Sequence, residues 1–329
     1  MRDSARHHPV QRCEWLLRGM GVLCLLVGLG LLYVGPLELY CFYLFEDGGR
    51  FHYAGFGFGS FMFAVIAAQI AGYYLAGGIL VALGYGHLFV RRWAWALTLT
   101  TLWVWLVVGL PITLAGLFVF ATSKDPSISQ FIAVLPLAVI AYPALPLLLL
   151  SIYRSTRFRT VFEAASPEAP WIERVPLAVR GLCGLWVFHV IGWHGTIMLN
   201  GVFPLFGALL TGSRGIAMIA GLIAMAPVLI WGLAQLRPWA WWLSVLLSGA
   251  TAASSLVTFQ RITFAELIAA IELPSAEMAM FRQLPFLHRH PTAVAILPSL
   301  ATLIVSAMVG RSFFRHAVAR ENATQVGVD

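Results

Sequence analysis

Lysine is almost missing from this chain: Lys124 is the only one in 329 residues. Charge of any sign is scarce, at 11% of residues, against about a quarter in soluble domains. With a mean hydropathy of +0.84, that shortage excludes a water-soluble globule. Acid is absent where it would matter most. None of the fourteen Asp and Glu lies inside a long apolar run, so neither a carboxylate proton relay nor an acidic catalytic pair is available within a membrane. The four cysteines, Cys13, Cys24, Cys41 and Cys183, have no CxxC or metal-ligand spacing, and no HExxH helix is present. Gly55-Phe56-Gly57-Phe58-Gly59 has neither a strand before it nor a lysine after it, so it is not a phosphate loop. No cofactor and no metal are expected. The net charge of +7 reads as topology signal and attraction to anionic lipid, with no nucleic-acid module to explain it.

What is abundant is apolar sequence, 60% of the chain, and it is organised around one stretch. Residues 86–97 contain Arg91-Arg92-Trp93-Ala94-Trp95, and residues 232–243 contain Arg237-Pro238-Trp239-Ala240-Trp241. Six of the twelve aligned positions are identical: Gly, Arg, Trp-Ala-Trp and the final Leu. Each copy lies between two apolar runs. This is the pattern of a tight turn at a membrane face, with arginine in the headgroup zone and indole NH groups hydrated at the interface.

Eight spans are expected, over residues 16–34, 56–83, 93–120, 131–153, 177–199, 215–236, 239–259 and 291–310. The first reads as an uncleaved signal-anchor helix, because no small-x-small cleavage site follows it. Residues 35–55, aromatic and acidic, read as an interfacial loop. In the second span Ser60, Ala64, Ala68, Gly72 and Ala76 recur every four residues, which predicts a packing seam. Residues 264–273 form a short amphipathic segment.

Other matched pairs fall in the same order: Arg18 with Arg180, Pro143 with Pro298, and Arg154 with Arg311. The chain is therefore read as an all-α integral membrane protein of eight transmembrane helices, arranged as two tandem parallel four-helix repeats. Residues 1–153 form the first repeat, 154–176 a cytoplasmic linker, and 177–329 the second repeat with a basic tail. Four spans return the chain to its starting side, so the repeats are parallel, related by rotation about an axis near the membrane normal. Fifteen basic residues then fall on the N-terminal side and six on the other, placing both termini in the cytoplasm of a cell (plasma or inner) membrane.

Candidate polar groups within the spans are few. His189 and His194 are intramembrane ionisable residues, but five residues apart they sit about 140° apart on a helix, so they are poor co-ligands. Ser244, Ser248, Thr251, Ser255 and Thr258 form a stripe on one helix face. Such hydroxyls either bond back to their own carbonyls or line a cavity. With Asn200 they give the candidate cavity lining: His189, His194, Asn200, Ser248, Thr251, Ser255 and Thr258. The cavity is expected to be roofed by residues 260–290. Pro143 and Pro298 are expected helix kinks.

These features support a structural, accessory or lipid-interacting membrane protein, whose partners are membrane lipids and a membrane-protein partner or small solute. The alternative is a transporter or channel-like protein for an uncharged or apolar solute. An enzyme of lipid metabolism would need catalytic groups from loops, such as His52, Glu266 or His288, and no catalytic constellation is present. For the topology, reporter fusions after Arg159 and Arg315 should behave as cytoplasmic and those near Asp47 and Glu277 as external. A cytoplasmic signal at Glu277 would overturn the assignment of the last two spans.

Overall fold

The computed structural model describes residues 4–46, 48–121, 135–136, 138–275, 277–278 and 291–326. Among them, six helical stretches are long and apolar enough to cross a membrane. The chain has the make-up of a helical multi-pass membrane protein. The expected fourth span lies partly outside the described residues, as does His288. The chain divides into two compact units: residues 1–41, 69–113 and 136–177, and residues 42–68, 114–135 and 178–329.

α1 (Ser4–Phe45), which belongs to the first unit up to residue 41, runs 42 residues, about 63 Å at 1.5 Å per residue, twice a hydrocarbon core of about 30 Å. It packs on α2 (Phe61–Leu88) through glycines spaced by seven: Gly21 and Gly28 on α1, Gly77 and Gly84 on α2. A Cβ on Gly28 would lie 2.8 Å from the Val81 nitrogen, and one on Gly84 2.8 Å from the Gly21 carbonyl oxygen. In lipid there is no hydrophobic drive between helices, so bare backbone faces supply the contact. This corrects the expected seam. Ser60 and Ala64 are buried, but Ala68, Gly72 and Ala76 are exposed. Two heptad-spaced glycines on each of two helices make the close approach, and a run of small residues on one helix alone cannot.

The expected interfacial loop at 35–55 is also corrected. α1 continues through Pro36, Glu38 and Tyr40 to Phe45. Aromatic and acidic side chains mark an interface but do not break a helix. The break comes at Gly48, with φ +93°, and at Gly49, where a side chain would strike the Tyr43 carbonyl.

α3 (Arg92–Ala121) leads toward a π-helical turn at Ile140–Ala144, which contains Pro143. Proline cannot donate to the carbonyl one turn back, and the wider turn accommodates that. α4 (Leu145–Tyr153) and α5 (Thr156–Ala165) follow. Leu17, Leu99, Leu102, Leu150 and Phe162 form the core here. Residues 154–176 thus carry α5, with Val161 and Phe162 buried, and a 3₁₀ turn at Trp171–Arg174. Arg92 holds this segment: its Nε lies 2.7 and 2.9 Å from the two carboxylate oxygens of Glu173.

In the second unit, α6 (Leu177–Met198) ends at Asn200 and Gly201, both with φ +59°. A β-hairpin that the sequence reading did not anticipate comes next: β1 (Phe203–Leu205) pairs antiparallel with β2 (Ala208–Leu210). Its two-residue turn, Phe206 and Gly207, has both φ positive, the primed geometry that matches strand twist. α7 (Gly212–Ala234), α8 (Pro238–Phe259), α9 (Phe264–Ile271) and α10 (Pro291–Val326) complete the unit. α10 continues through the basic tail and pairs most extensively with α8. α9 opens with a capping box in which Thr263 and Glu266 each bond the other's backbone amide. Those bonds hold the Glu266 carboxyl below the usual range, so this residue caps a helix.

Buried Glu277, 2% exposed, accepts the Phe61 and Met62 amides at 2.6 and 2.8 Å. It therefore caps the first turn of α2, where helix amides have no internal partner. Burial, and then Glu277 nearby, push the Tyr53 hydroxyl upward.

The two Trp-Ala-Trp turns have one local geometry. Val90 and Leu236 both adopt the left-handed conformation, with φ +47° and +56°. The Arg91 amide bonds the Gly86 carbonyl at 2.7 Å, and the Arg237 amide bonds the Gly232 carbonyl at 2.9 Å. A Cβ on either glycine would collide with the alanine, which is wholly buried in both copies, and crowd the first tryptophan ring. The second tryptophan corrects the expectation of a hydrated indole. Trp95 Nε1 donates to the Tyr153 carbonyl at 2.8 Å, and Trp241 Nε1 to the Ser306 carbonyl at 3.0 Å. Helix carbonyls keep a spare lone pair, and an indole reaching one no longer needs water.

The glycine packing gives a direct test by thermal unfolding in detergent. Gly28→Leu should cost about 1–3 kcal/mol by overpacking. Gly30→Leu, where nothing lies within 4 Å of the added Cβ, should stay within about 0.5 kcal/mol of the parent. Separately, Glu277→Ala leaves two α2 amides without acceptors and should cost about 1–3 kcal/mol.

Candidate functional site

The hydroxyl stripe on α8 divides by depth into three jobs. At its start Ser244 accepts the Trp186 indole N–H at 2.9 Å and lies 3.1 Å from the Ser306 hydroxyl. Ser248, 2% exposed, donates back to the Ser244 carbonyl at 2.7 Å. Ser244 links α8 to α6 and α10, and Ser248 bonds back to its own helix.

At the other end the stripe pins the hairpin. Ser254, one position off the stripe, accepts the Phe206 amide and donates to the Pro204 carbonyl, both at 2.8 Å. Thr258 accepts the Gly207 amide at 2.9 Å. The primed turn leaves these amides pointing outward, and in an apolar setting each unpaired one would cost about 1–3 kcal/mol. Ser254 and Thr258 remove that cost.

Between these ends lies a cavity of about 340 Å³. Thr251 and Ser255 of α8 line it, with His189 and Trp193 of α6, Phe203 of the hairpin and Pro298 of α10. α9 adds Leu267 and Ile271, so part of the 260–290 segment does border it. No Asp, Glu, Lys or Arg is among the lining residues. Ser255 is 5% exposed and its hydroxyl has no protein partner among the described residues.

The remaining candidates are placed elsewhere. His194 is exposed and donates from Nδ1 to the Val190 carbonyl of its own helix at 2.7 Å. Asn200 ends α6 and donates to the Ala270 carbonyl at 3.1 Å. Of the seven polar candidates, His189, Thr251 and Ser255 come together, while His194, Asn200, Ser248 and Thr258 serve packing, capping or hairpin contacts. Pro298 lies on the cavity, and Pro143 lies in the π-helical turn of the other unit. Among the described residues no group of three or more His, Cys, Asp or Glu could hold a metal. His52 is exposed, and Glu266 is committed to its capping box.

His87 is not among the seven polar candidates. In the first unit it is 1% exposed, its Nδ1 donates to the Leu83 carbonyl at 2.7 Å, and its Nε2 accepts the Tyr153 hydroxyl at 2.8 Å. A carbonyl can only accept, so the hydrogen is assigned to Nδ1. Phe162 meets the imidazole edge-on, with ring centroids 5.7 Å apart. Nothing in the local sequence joins residues 87, 153 and 162, which only folding of α5 brings together.

The division of the stripe can be tested by stability. Ser244→Ala leaves the buried Trp186 indole unpaired and should cost about 1–3 kcal/mol. Ser255→Ala removes a hydroxyl with no protein partner and should change stability by less than about 0.5 kcal/mol, measured by thermal unfolding in the same detergent. No protein-family model, curated protein or solved structure matches the chain.

Proposed function

We propose that this chain is a lipid-interacting, multi-pass membrane protein that holds one uncharged, mainly apolar molecule in the cavity of its second unit. The observation that carries this reading is the cavity wall itself. It is built from aromatic and aliphatic side chains, with a histidine and a few hydroxyls, and it contains no charged residue. Apolar walls with a few placed polar groups are the usual composition of small-molecule sites. A charged ligand would find no counter-ion, and desolvating it would cost far more than the hydroxyls return.

The same reading includes eight spans in two parallel repeats, with both termini in the cytoplasm. The matched turn geometry at Val90 and Leu236 and the excess of arginine on one set of loops support it. A transporter for an uncharged solute is the second reading. The observation favouring it is Pro298, which removes a helical hydrogen bond within α10 beside the cavity.

The test is co-purification. Wild-type protein extracted in mild detergent should carry a neutral small molecule or lipid detectable by mass spectrometry of the denatured sample. Ser255→Phe, which places a ring in the cavity, should lose it while remaining folded. Equal occupancy in the two proteins would overturn the reading. Solute counterflow in proteoliposomes that is abolished by Ser255→Phe would favour transport over retention.

A further inference from the structure

Resting on the cavity reading above, we infer that the site recognises a hydroxyl group: its ligand is a neutral alcohol or phenol on an apolar body. The inference comes from counting hydrogens around His189. The Thr302 hydroxyl has one hydrogen, which is assigned to the Pro298 carbonyl at 3.0 Å in its own helix. Toward His189 Nε2, 2.7 Å away, the same oxygen can then only accept. With that assignment Nε2 carries the hydrogen, and in the neutral ring Nδ1 is left as an acceptor. Thr302 is 1% exposed, so water does not compete for its lone pairs.

The threonines on the wall are committed in the same sense. Thr196 donates to the Gly192 carbonyl at 3.1 Å, and Thr251 to the Leu247 carbonyl at 2.8 Å. Each offers the cavity lone pairs and no hydrogen. Ser255 and Ser299 have no hydroxyl partner among the described residues and are able to donate or accept. A ligand with acceptors alone, such as an ether or ester, would satisfy the serines and leave the imidazole nitrogen unpaired. A hydroxyl does both: it donates to an acceptor on the wall and accepts from a serine. Carboxylates and phosphates lack an arginine or lysine partner, and ammonium groups lack a carboxylate. The volume, about 340 Å³, equals roughly eleven waters at about 30 Å³ each, which suits a short alcohol or the head end of a long-chain one.

The experiment is photolabelling of the full chain in lipid nanodiscs, with peptides mapped by mass spectrometry. Three probes share one diazirine-bearing alkyl chain: a fatty alcohol, its methyl ether and the matching fatty acid. The alcohol should label peptides of α6, α8 and α10 from the cavity wall. Ether and acid should label them about tenfold less, the loss of one hydrogen bond in an apolar site. Dialysis of ligand-loaded nanodiscs against ligand-free buffer separates the two sources: a free solute washes out, and a membrane-resident alcohol stays.

Thr302 is a positioning residue here, and its readout is spectroscopic. Imidazole ¹⁵N shifts of His189 should report an Nε2-protonated ring in the parent and in Thr302→Ser. Thr302→Val should lose that signature together with the preference for alcohol over ether. If alcohol and ether label the wall equally and Ser255→Phe abolishes both, the hydroxyl inference fails and the cavity reading survives. If no probe labels the wall of folded protein, both fail.

Discussion

A polar group carried into hydrocarbon has no water to return to, and that single condition places most of the distinctive residues of this chain. The indoles of Trp95, Trp186 and Trp241 each donate to an oxygen on another helix. Ser254 and Thr258 take up the outward amides of the hairpin turn. Even the helix contacts obey it: where no side chain can supply affinity, Gly21, Gly28, Gly77 and Gly84 bring backbones together without adding anything that needs a partner. Against this background the unpartnered Ser255 hydroxyl stands out. The threonines on the same wall bond back to their own helices, whereas Ser255 faces the cavity.

Much of the architecture was legible in the sequence because hydropathy and turn chemistry are local properties. Apolar runs marked the helices, and Trp-Ala-Trp marked two turns whose left-handed Val90 and Leu236 now explain why glycine and alanine recur there. What the sequence hid was contact between distant segments. The heptad glycines were visible, but small side chains at four-residue spacing were the more obvious pattern, and Ala68, Gly72 and Ala76 of that pattern face outward. The hairpin escaped because Phe206-Gly207 is a weak signal for a primed turn, which favours asparagine or aspartate before glycine. Its stability comes from α8, about fifty residues later.

The site shows the same division. A stripe at helical spacing identified one face of α8, and that face carries the cavity-lining Thr251 and Ser255. Spacing alone could not say that Ser244 would bind an indole or that Thr258 would bind a turn, because those partners come from other elements. His194 was grouped with His189 because both are ionisable residues within one span. A separation of about 140° sends one ring to Thr302 and leaves the other bonded to its own helix.

The cap on α2 has a consequence in time. The acceptor for the Phe61 and Met62 amides is a carboxylate 216 residues downstream of the first of them. At a synthesis rate of about 5–20 residues per second, roughly 10–40 s separate the appearance of these two ends. During that interval the first turn of α2 is an open site, and whatever shields it must leave when Glu277 arrives. Completion of an early helix is thereby made to wait on a late segment, so a chain stalled or cut before Glu277 leaves a defect far from the break, at the start of its second helix.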